Sequence, residues 1–486
     1  MREQFLKKGP PTCTAVQVTP KAEDEVCAGR NSANNAWYVN QSNGNRNNNN
    51  TNNRYRVAGA SEFIANWQEW LAAEESSYHK KHHNFDAARV HYHLPELYAL
   101  ADEVARGEYK PRPMSAFVLT YPVFREAFAP DHIDCIVHHY TAPLFTTIAE
   151  SVHAENGDIS HGNRIGHSAQ GMAERIREDV RFISRDYTRP CYRAHLDISG
   201  FFLHINRRKA YELVAELSKT YYQEPDREEK LRLLEVTLTS DPLEGCTLKS
   251  PKGAWKNVPA NKTLFNGKPG YGLPIGKYPS QVVAGIYLAP VDAALVQVHG
   301  IREEHFVDDY DIIAPSVEKI HEAVRVMEPV LADLELQLHP RKRSIQPAHR
   351  GMLSCGRIVK GERIYISNRT VRACRKAIEN LPVTLAGARE LRQSLNSVLG
   401  LMSHCNTYNV QQRLACMALE KFGEWIYFRV KPNHFICTLK KKYTPAAMAV
   451  EEISTILNSY EVRKDHQRNC HSRKSREWQG GRRQAD

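Results

Sequence analysis

Apolar residues begin to recur at regular spacing near residue 61, and their period identifies most of the elements. Segments Glu62 to Ala73 and Leu94 to Ala105 read as helices. Between Arg164 and Ile183, the residues Ile165, Ala169, Met172, Ile176 and Val180 share one helical face with charges opposite, the pattern of an amphipathic helix resting on a core. Strand-like runs occupy Ala194 to Ile198, His305 to Ile313 and Arg363 to Ile366, with a helix at Val317 to Leu334. Such alternation predicts a sheet covered by helices. After about residue 368 the strand signals stop. Leu391, Leu395, Val398 and Met402, then Val410, Leu414 and Met417, predict a helix pair and hence a helical C-terminal lobe.

Both ends of the chain lack this pattern. Twelve of the twenty-three residues from 31 to 53 are Asn, too few apolar groups to fold alone, so residues 1–60 are expected to be a poorly ordered arm. Arg463 to Arg483 hold eight Lys or Arg among twenty-one residues, so 461–486 read as a basic tail that either touches phosphates or only aids solubility. The 486 residues carry a net charge of +11 with a pI near 9.0, which suits a surface that meets a polyanion. Eleven cysteines form no CxxC pair and no regular framework, and are expected to be reduced thiols in apolar packing. The start of the chain has no apolar signal region, and no run approaches the roughly eighteen apolar residues of a membrane span. A cytoplasmic protein with no membrane partner is therefore expected.

The candidate chemistry lies in carboxylates. HFVDDYDII, residues 305–313, sets Asp308 and Asp309 between apolar flanks, the pattern of a tight turn joining two strands. Adjacent carboxylates repel, so holding both in an apolar setting implies a divalent cation that offsets the repulsion; the alternative is an ordinary hydrophilic turn. Upstream, AHLDISGFF at 194–202 inserts Asp197 at the end of an apolar strand and supplies a third carboxylate. An oxygen-rich set of this kind suits Mg²⁺, which binds through a few carboxylates plus substrate phosphates. Two such ions about 3.5–4 Å apart can activate a 3′-hydroxyl and stabilise a leaving pyrophosphate.

In order and spacing, LDISGFF, GLPIGKYPSQ and FVDDYDII resemble motifs A, B and C of reverse transcriptases. LHPRKRSIQP at 338–347 and MLSCGRIV at 352–359 are similar to motifs D and E. FREAFAPDHIDCIVHHY at 124–140 and HGNRIGHSAQGMAERI at 161–176 resemble the first two fingers blocks, although the first lacks arginines often found there. The resemblance covers roughly residues 110 to 430. It implies an α+β fold, a right-hand polymerase with N-terminal helices and fingers over 61–190. A palm of antiparallel sheet covered by helices would fill 191–367, with 203–272 partly a fingers insert, and an α-helical thumb 368–460. By the same resemblance Asp197 and Asp308 would coordinate two Mg²⁺ ions, or Mn²⁺ in their place, with Asp309 completing the cluster and the Ile198 carbonyl a further ligand. Phe202 matches the aromatic gate against a ribose 2′-hydroxyl, or is a core aromatic beside Phe201. Lys342 matches a lysine that protonates or neutralises the pyrophosphate, or is a solvated charge in its PRKR cluster. Arg125 and Arg164 become candidates for binding the nucleotide triphosphate or the template, because guanidinium groups grip phosphate in a bidentate fork. The implied partners are template RNA, the cDNA/RNA hybrid and dNTPs.

Most enzymes of this type place Gln at the start of motif B, where this chain reads IGKYPSQ from Ile275 to Gln281, so Ile275, Gly276 and Gln281 are expected at the nucleotide. That form, with EGCTLKSPKGAWKNVPANKTLF at 244–265, is similar to reverse transcriptases of diversity-generating retroelements. These copy a template RNA with frequent errors at adenines, so the likeness implies RNA with structured flanks and a small basic accessory protein oligomer as partners. Losing a polar contact at 275 loosens placement of correct and incorrect nucleotides alike; otherwise Ile275 only packs under the base. WYVNQSNGNRNNNNTNN resembles the Asn-rich sequence such elements diversify, and reads as a coding consequence of adenine-rich template overlapping the frame. Two alternatives stand beside this reading: a faithful bacterial reverse transcriptase of a retron or antiphage defence system, and a non-catalytic RNA-binding scaffold.

Overall fold

The computed structural model describes residues 67–79, 87–120 and 123–443. The Asn-rich arm, the basic tail and residues 444–460 of the expected thumb lie outside the described residues. Helices α1 (Trp67–His79) and α2 (Ala87–Ala105) come first. Strands β1 (Ser115–Leu119) and β2 (Arg125–Ala129) pair antiparallel, and helices α3 (His132–Tyr140) and α4 (Ala142–Glu155) follow. Trp70 of α1 stacks on Tyr140 of α3 with ring centroids 3.9 Å apart. The amphipathic helix α5 spans Ala169–Ile183 and so begins later than its periodicity suggests. Ser168 caps it by accepting the Gly171 N–H, which leaves Ile165 outside the helix and exposed. Met172, Ile176 and Val180 form its buried stripe.

Strand β3 (Tyr192–Ile198) leads into the short helix α6 (Phe201–His204), then α7 (Arg207–Tyr221) and α8 (Arg227–Thr239). The two-residue strand β4 (Thr247–Leu248) joins β1, and a short helix α9 (Lys252–Trp255) follows. Helix α10 (Tyr278–Val296) has a mean hydropathy of 1.3 and is long and apolar enough to cross a membrane, contrary to the expectation from the sequence. It is nevertheless 67% buried within the protein and carries the buried Asp292, which marks it as a core helix.

The run at 305–313, expected to turn between two strands at Asp308 and Asp309, is a hairpin of β5 (Arg302–Phe306) and β6 (Asp309–Ala314). Helix α11 (Val317–Asp333), capped by Ser316, and strand β7 (Leu338–Pro347) complete an antiparallel sheet in the order β5-β6-β3-β7. Alternation along the strands sorts its two faces. Ala194, Leu196, Ile198, Tyr310 and Ile312 enter the main core with α4, α10 and α11. Each such large apolar side chain contributes about 1.5–3 kcal/mol over its exposed state. The other face carries Arg193, His195 and Asp197 beside Asp309, Asp311 and Ile313.

A second sheet of β8 (Met352–Ser354), β9 (Arg357–Lys360) and β10 (Arg363–Ile366) packs with α5 against Cys191 and Ile313, at the end of β3 away from Asp197. Helices α12 (Asn368–Asn380), α13 (Leu385–Ser403) and α14 (Tyr408–Phe422) include the expected helix pair. The C-terminal lobe is not wholly helical, however. A hairpin of β11 (Ile426–Lys431) and β12 (His434–Leu439) packs on α13 and corrects the expectation that strands end near 368. Phe435, Cys437 and Leu439 alternate inward from β12, and Asn433 takes the left-handed φ of +51° that the turn needs. The described fold is α+β, antiparallel sheets covered by helices. Cys191, Cys374, Cys405 and Cys437 are buried free thiols.

Candidate active site

Antiparallel pairing sets Asp197 of β3 directly opposite Asp309 of β6. The β5–β6 connection is a two-residue loop, Val307 and Asp308, closed by the pairing of Phe306 with Asp309. The Ile198 N–H donates to the Asp308 carbonyl at 3.2 Å, so the turn is tied to the end of β3. All three carboxylates therefore gather at one end of the sheet. Val307 has φ +60°, a conformation that a β-branched residue adopts only under strain and that hairpins usually give to Gly. Gly162 accounts for the close approach of the 159–164 segment, since a Cβ there would lie 2.9 Å from the Val307 nitrogen.

Electrostatics shows what the cluster lacks. Burial, then the neighbouring charges of Asp309 and Asp197, pushes the Asp308 carboxyl up to about 7. Burial also raises Asp309, with Asp197 and Asp311 adding to the shift and His195 opposing it. Lys342 supplies the nearest cation: its Nζ lies 2.8 and 2.9 Å from the two Asp197 carboxylate oxygens. It reaches there because the β3–β7 register jumps. Leu196 pairs with Arg343 but Ile198 pairs with Leu338, so the intervening residues of β7 bulge opposite Asp197. Among the described residues, no three His, Cys, Asp or Glu side chains stand as a ready metal cage. Both Asp197 oxygens face the Lys342 ammonium. The donor set still fits a hard divalent cation, because three carboxylates stand together where Lys342 bonds only Asp197, and neither it nor His195 prevents the upward shift of Asp308 and Asp309.

The turn rests on a buried polar chain that sequence reasoning missed. His305 Nδ1 lies 2.9 Å from the Val307 carbonyl, and its Nε2 lies 3.2 Å from Asp292 of α10. The Tyr310 hydroxyl donates to the other Asp292 oxygen at 2.7 Å, and the His305 and Tyr310 rings stack with centroids 4.4 Å apart. Burial opposes a charge on His305, but Asp292 and the Val307 carbonyl outweigh it and raise its pKa. Both ring nitrogens face acceptors, so the imidazolium form donates to each. A polar residue inside the apolar run of α10 was the available signal.

His195 was also missed. Its ring spans two carboxylates, with Nε2 3.8 Å from Asp309 and Nδ1 3.5 Å from Asp311. Asp311 belongs to a different set: Arg193 Nε and Nη2 both stand 2.8 Å from its Oδ1, and Ser354 donates to Oδ2. Burial alone would raise Asp311, but Arg193, His195 and Ser354 hold its carboxyl below the usual range.

Phe201 points into the core and Phe202 is half-buried against it, with the rings 5.3 Å apart edge to face. The Phe202 carbonyl accepts the Leu273 N–H at 2.8 Å and brings the motif B segment alongside. Beyond it, the Ile275 carbonyl accepts the Phe128 N–H of β2 at 2.8 Å. Gly276 is needed there, since its φ is +112° and a Cβ would meet the Phe128 oxygen at 2.2 Å. Half-buried Gln281 receives the Asn163 amide on its main-chain carbonyl at 3.2 Å. Arg125 is exposed at the start of β2. Arg164 is instead buried, bonded to Glu150 and the Ser160 carbonyl and paired with Asp158 at 2.7 Å. Its guanidinium is taken up by internal acceptors, so the structure does not bring it to the carboxylates as a phosphate ligand.

No family model and no curated protein matches the sequence. Solved structures with partial likeness include apo telomerase from Candida tropicalis, at 10% identity and TM-score 0.42, over 64% of this chain and 60% of that one. A form of that enzyme truncated from its C-terminal domain aligns at 12% identity and TM-score 0.40, over 53% and 56%. Telomerase from Candida albicans in complex with a fragment of telomeric RNA aligns at 10% and TM-score 0.39, over 68% and 64%. The chain spans less than two thirds of each of these telomerase chains.

Proposed function

We propose that this chain is an RNA-directed DNA polymerase. The observation that carries the reading is the pairing of Asp197 with Asp309 across adjacent strands, with Asp308 in the intervening turn. Asp197 and Asp308 would hold Mg²⁺, with Asp309 and the Ile198 carbonyl beside them. When bound, the ions supply the positive charge that activates a 3′-hydroxyl and stabilises pyrophosphate. Lys342, whose ammonium bonds Asp197, would be placed to neutralise or protonate the leaving group. Phe202, half-buried beside the turn into α6, would exclude a ribose 2′-hydroxyl by its bulk. Primer extension on an RNA template with Mg²⁺ tests the reading: activity is expected in the parent and lost in Asp308→Ala. Equal activity in the two would sink it and favour the RNA-binding scaffold.

The finer reading is that the product is cDNA mutagenised at adenines, as in diversity-generating retroelements. Ile275 supports it, because its main chain is fixed on β2 while its side chain offers no hydrogen bond where related motifs have Gln. RNA with structured flanks and a small basic accessory protein are the partners that go with this reading. Sequencing the cDNA made on an adenine-containing template separates it from a faithful bacterial reverse transcriptase, for which errors would be rare and spread over all bases.

A further inference from the structure

At the opposite end of the palm-like sheet from Asp197 lies a cavity of about 480 Å³ lined in part by Tyr187, Arg189, His349, Lys360, Arg363 and Tyr365. Asp197 lies six residues along the chain from its Cys191 edge, roughly 20 Å of extended strand. Arg363 also lines a neighbouring cavity of about 300 Å³ with Tyr408 and Asn409. The two cavities thus share one lining residue, Arg363. Arg189, Lys360 and Arg363 are exposed cations, against the single carboxylate of Glu362 in the first cavity.

Each cavity also has an aromatic wall. Tyr187 is 38% exposed and Tyr365 half-buried in the first; Tyr408 is 45% exposed in the second, braced by Phe435 at 5.3 Å. Tyr187 is held by a costly turn: Arg185, Asp186 and Tyr187 all adopt positive φ, +49°, +55° and +64°, without a glycine among them. Backbone strain of this kind persists where surrounding contacts enforce it, as the Ser184 hydroxyl does by accepting the Tyr187 N–H at 2.9 Å. Accessible tyrosines beside cations are what an unpaired strand requires, since bases stack on rings while phosphates meet guanidinium and ammonium groups. A duplex would hide its base faces from these rings, and a small anion would have no use for them.

We propose that these two cavities form a second nucleic-acid site, remote from the carboxylates, that takes a short single-stranded segment with one nucleotide in each cavity. Arg363 sits between the two and meets the connecting phosphate. Tyr365 and Tyr408 stack the bases, and the Asn409 amide reads a base edge in the second cavity. The strand chemistry is common to RNA and DNA. RNA is the assigned source because the polymerase reading supplies unpaired RNA flanking a template, and to that extent the assignment rests on that reading.

The test is fluorescence anisotropy on the full chain with a labelled, unstructured RNA oligonucleotide, in EDTA and with saturating unlabelled RNA–DNA hybrid to occupy the region of the carboxylates. Stacking and phosphate contacts predict that Lys360→Glu with Arg363→Glu weakens binding about tenfold or more, and Tyr408→Ala about fivefold or more. Arg325→Glu, an exposed charge reversal on α11, controls for net charge and should change affinity by less than about twofold. Unchanged affinity in both cavity variants, or full displacement of the strand by the hybrid, overturns the second site. Binding of a DNA strand of the same sequence about tenfold or more tighter than the RNA overturns the RNA assignment. Loss of primer extension in the parent, with strand binding intact, would instead overturn the polymerase reading and leave the site standing.

Discussion

Strand β6 carries Asp309 and Asp311 two residues apart on the same face, and the protein treats them in opposite ways. Asp311 is fully buried, paired with Arg193 and bonded by Ser354, and its carboxyl is held below the usual range. Asp309, with Asp308 beside it in a strained turn, is half-buried and raised, and Lys342 binds their neighbour Asp197 alone. One end of the strand is compensated and the other is left in deficit. A chain selected only for stability would relieve the second end, and uncompensated charge kept next to compensated charge is what the proposed divalent-cation site would require.

Substitution at the two ends tests that contrast most severely. Asp308→Asn should lower primer extension by about a thousandfold or more, equivalent to about 4 kcal/mol of barrier. The same change should leave thermal stability unchanged or raised, because it removes a repelling carboxylate. Asp311→Asn should do the reverse and destabilise the fold by about 3–5 kcal/mol, since it strands the Arg193 charge in the interior. Urea unfolding and extension, measured on both variants, read the comparison directly. If Asp308→Asn were the more destabilising of the two, the turn would be a structural element and the contrast would be lost.

The sequence shows this division unevenly. Asp197, Asp308 and Asp309 were legible because ionised groups at the ends of apolar runs have few structural uses, and period-2 patterning fixed the strands that carry them. Asp311 in the same run looks identical to its neighbours in one dimension; only pairing across strands brings Arg193 and Ser354 to it. Arg164 misled for the same reason, since its partners Glu150 and Asp158 are ordinary charges until α4 and the following loop fold together. The β11–β12 hairpin escaped because β11 buries only Ile426, so its outward residues blur the alternation. Lys342 depends on a register jump that no spacing rule records.

Between the two ends stands the chain from Asp292 through His305 to the Val307 carbonyl, which lends the strained turn some of the compensation it lacks. Asp292→Asn weakens the acceptor shared by His305 and Tyr310 without touching any of the three site carboxylates. Supporting groups of this kind cost about 10–100-fold in activity or metal affinity when removed. The loss should fall on kcat and on the Mg²⁺ requirement and leave template affinity unchanged. A loss confined to thermal stability would place Asp292 with Asp311, on the structural side of the comparison.

The smallest expected effect lies across the site, at Ile275, where the main chain is fixed but the side chain contributes no polar contact. If the deficit at the carboxylates serves catalysis and the absence at Ile275 serves error, restoring a hydrogen bond should change accuracy while sparing rate. Ile275→Gln supplies an amide worth about 0.5–1.5 kcal/mol net, which corresponds to about a two- to tenfold fall in misincorporation opposite adenine. Gly276 and the Ile275–Phe128 bond hold the backbone, so the new side chain enters a defined position and not a mobile loop. Sequencing of extension products made by parent and variant on the same RNA measures the ratio. An unchanged adenine error frequency with an unchanged rate would assign Ile275 to packing under the base and move the source of any infidelity elsewhere in the nucleotide site.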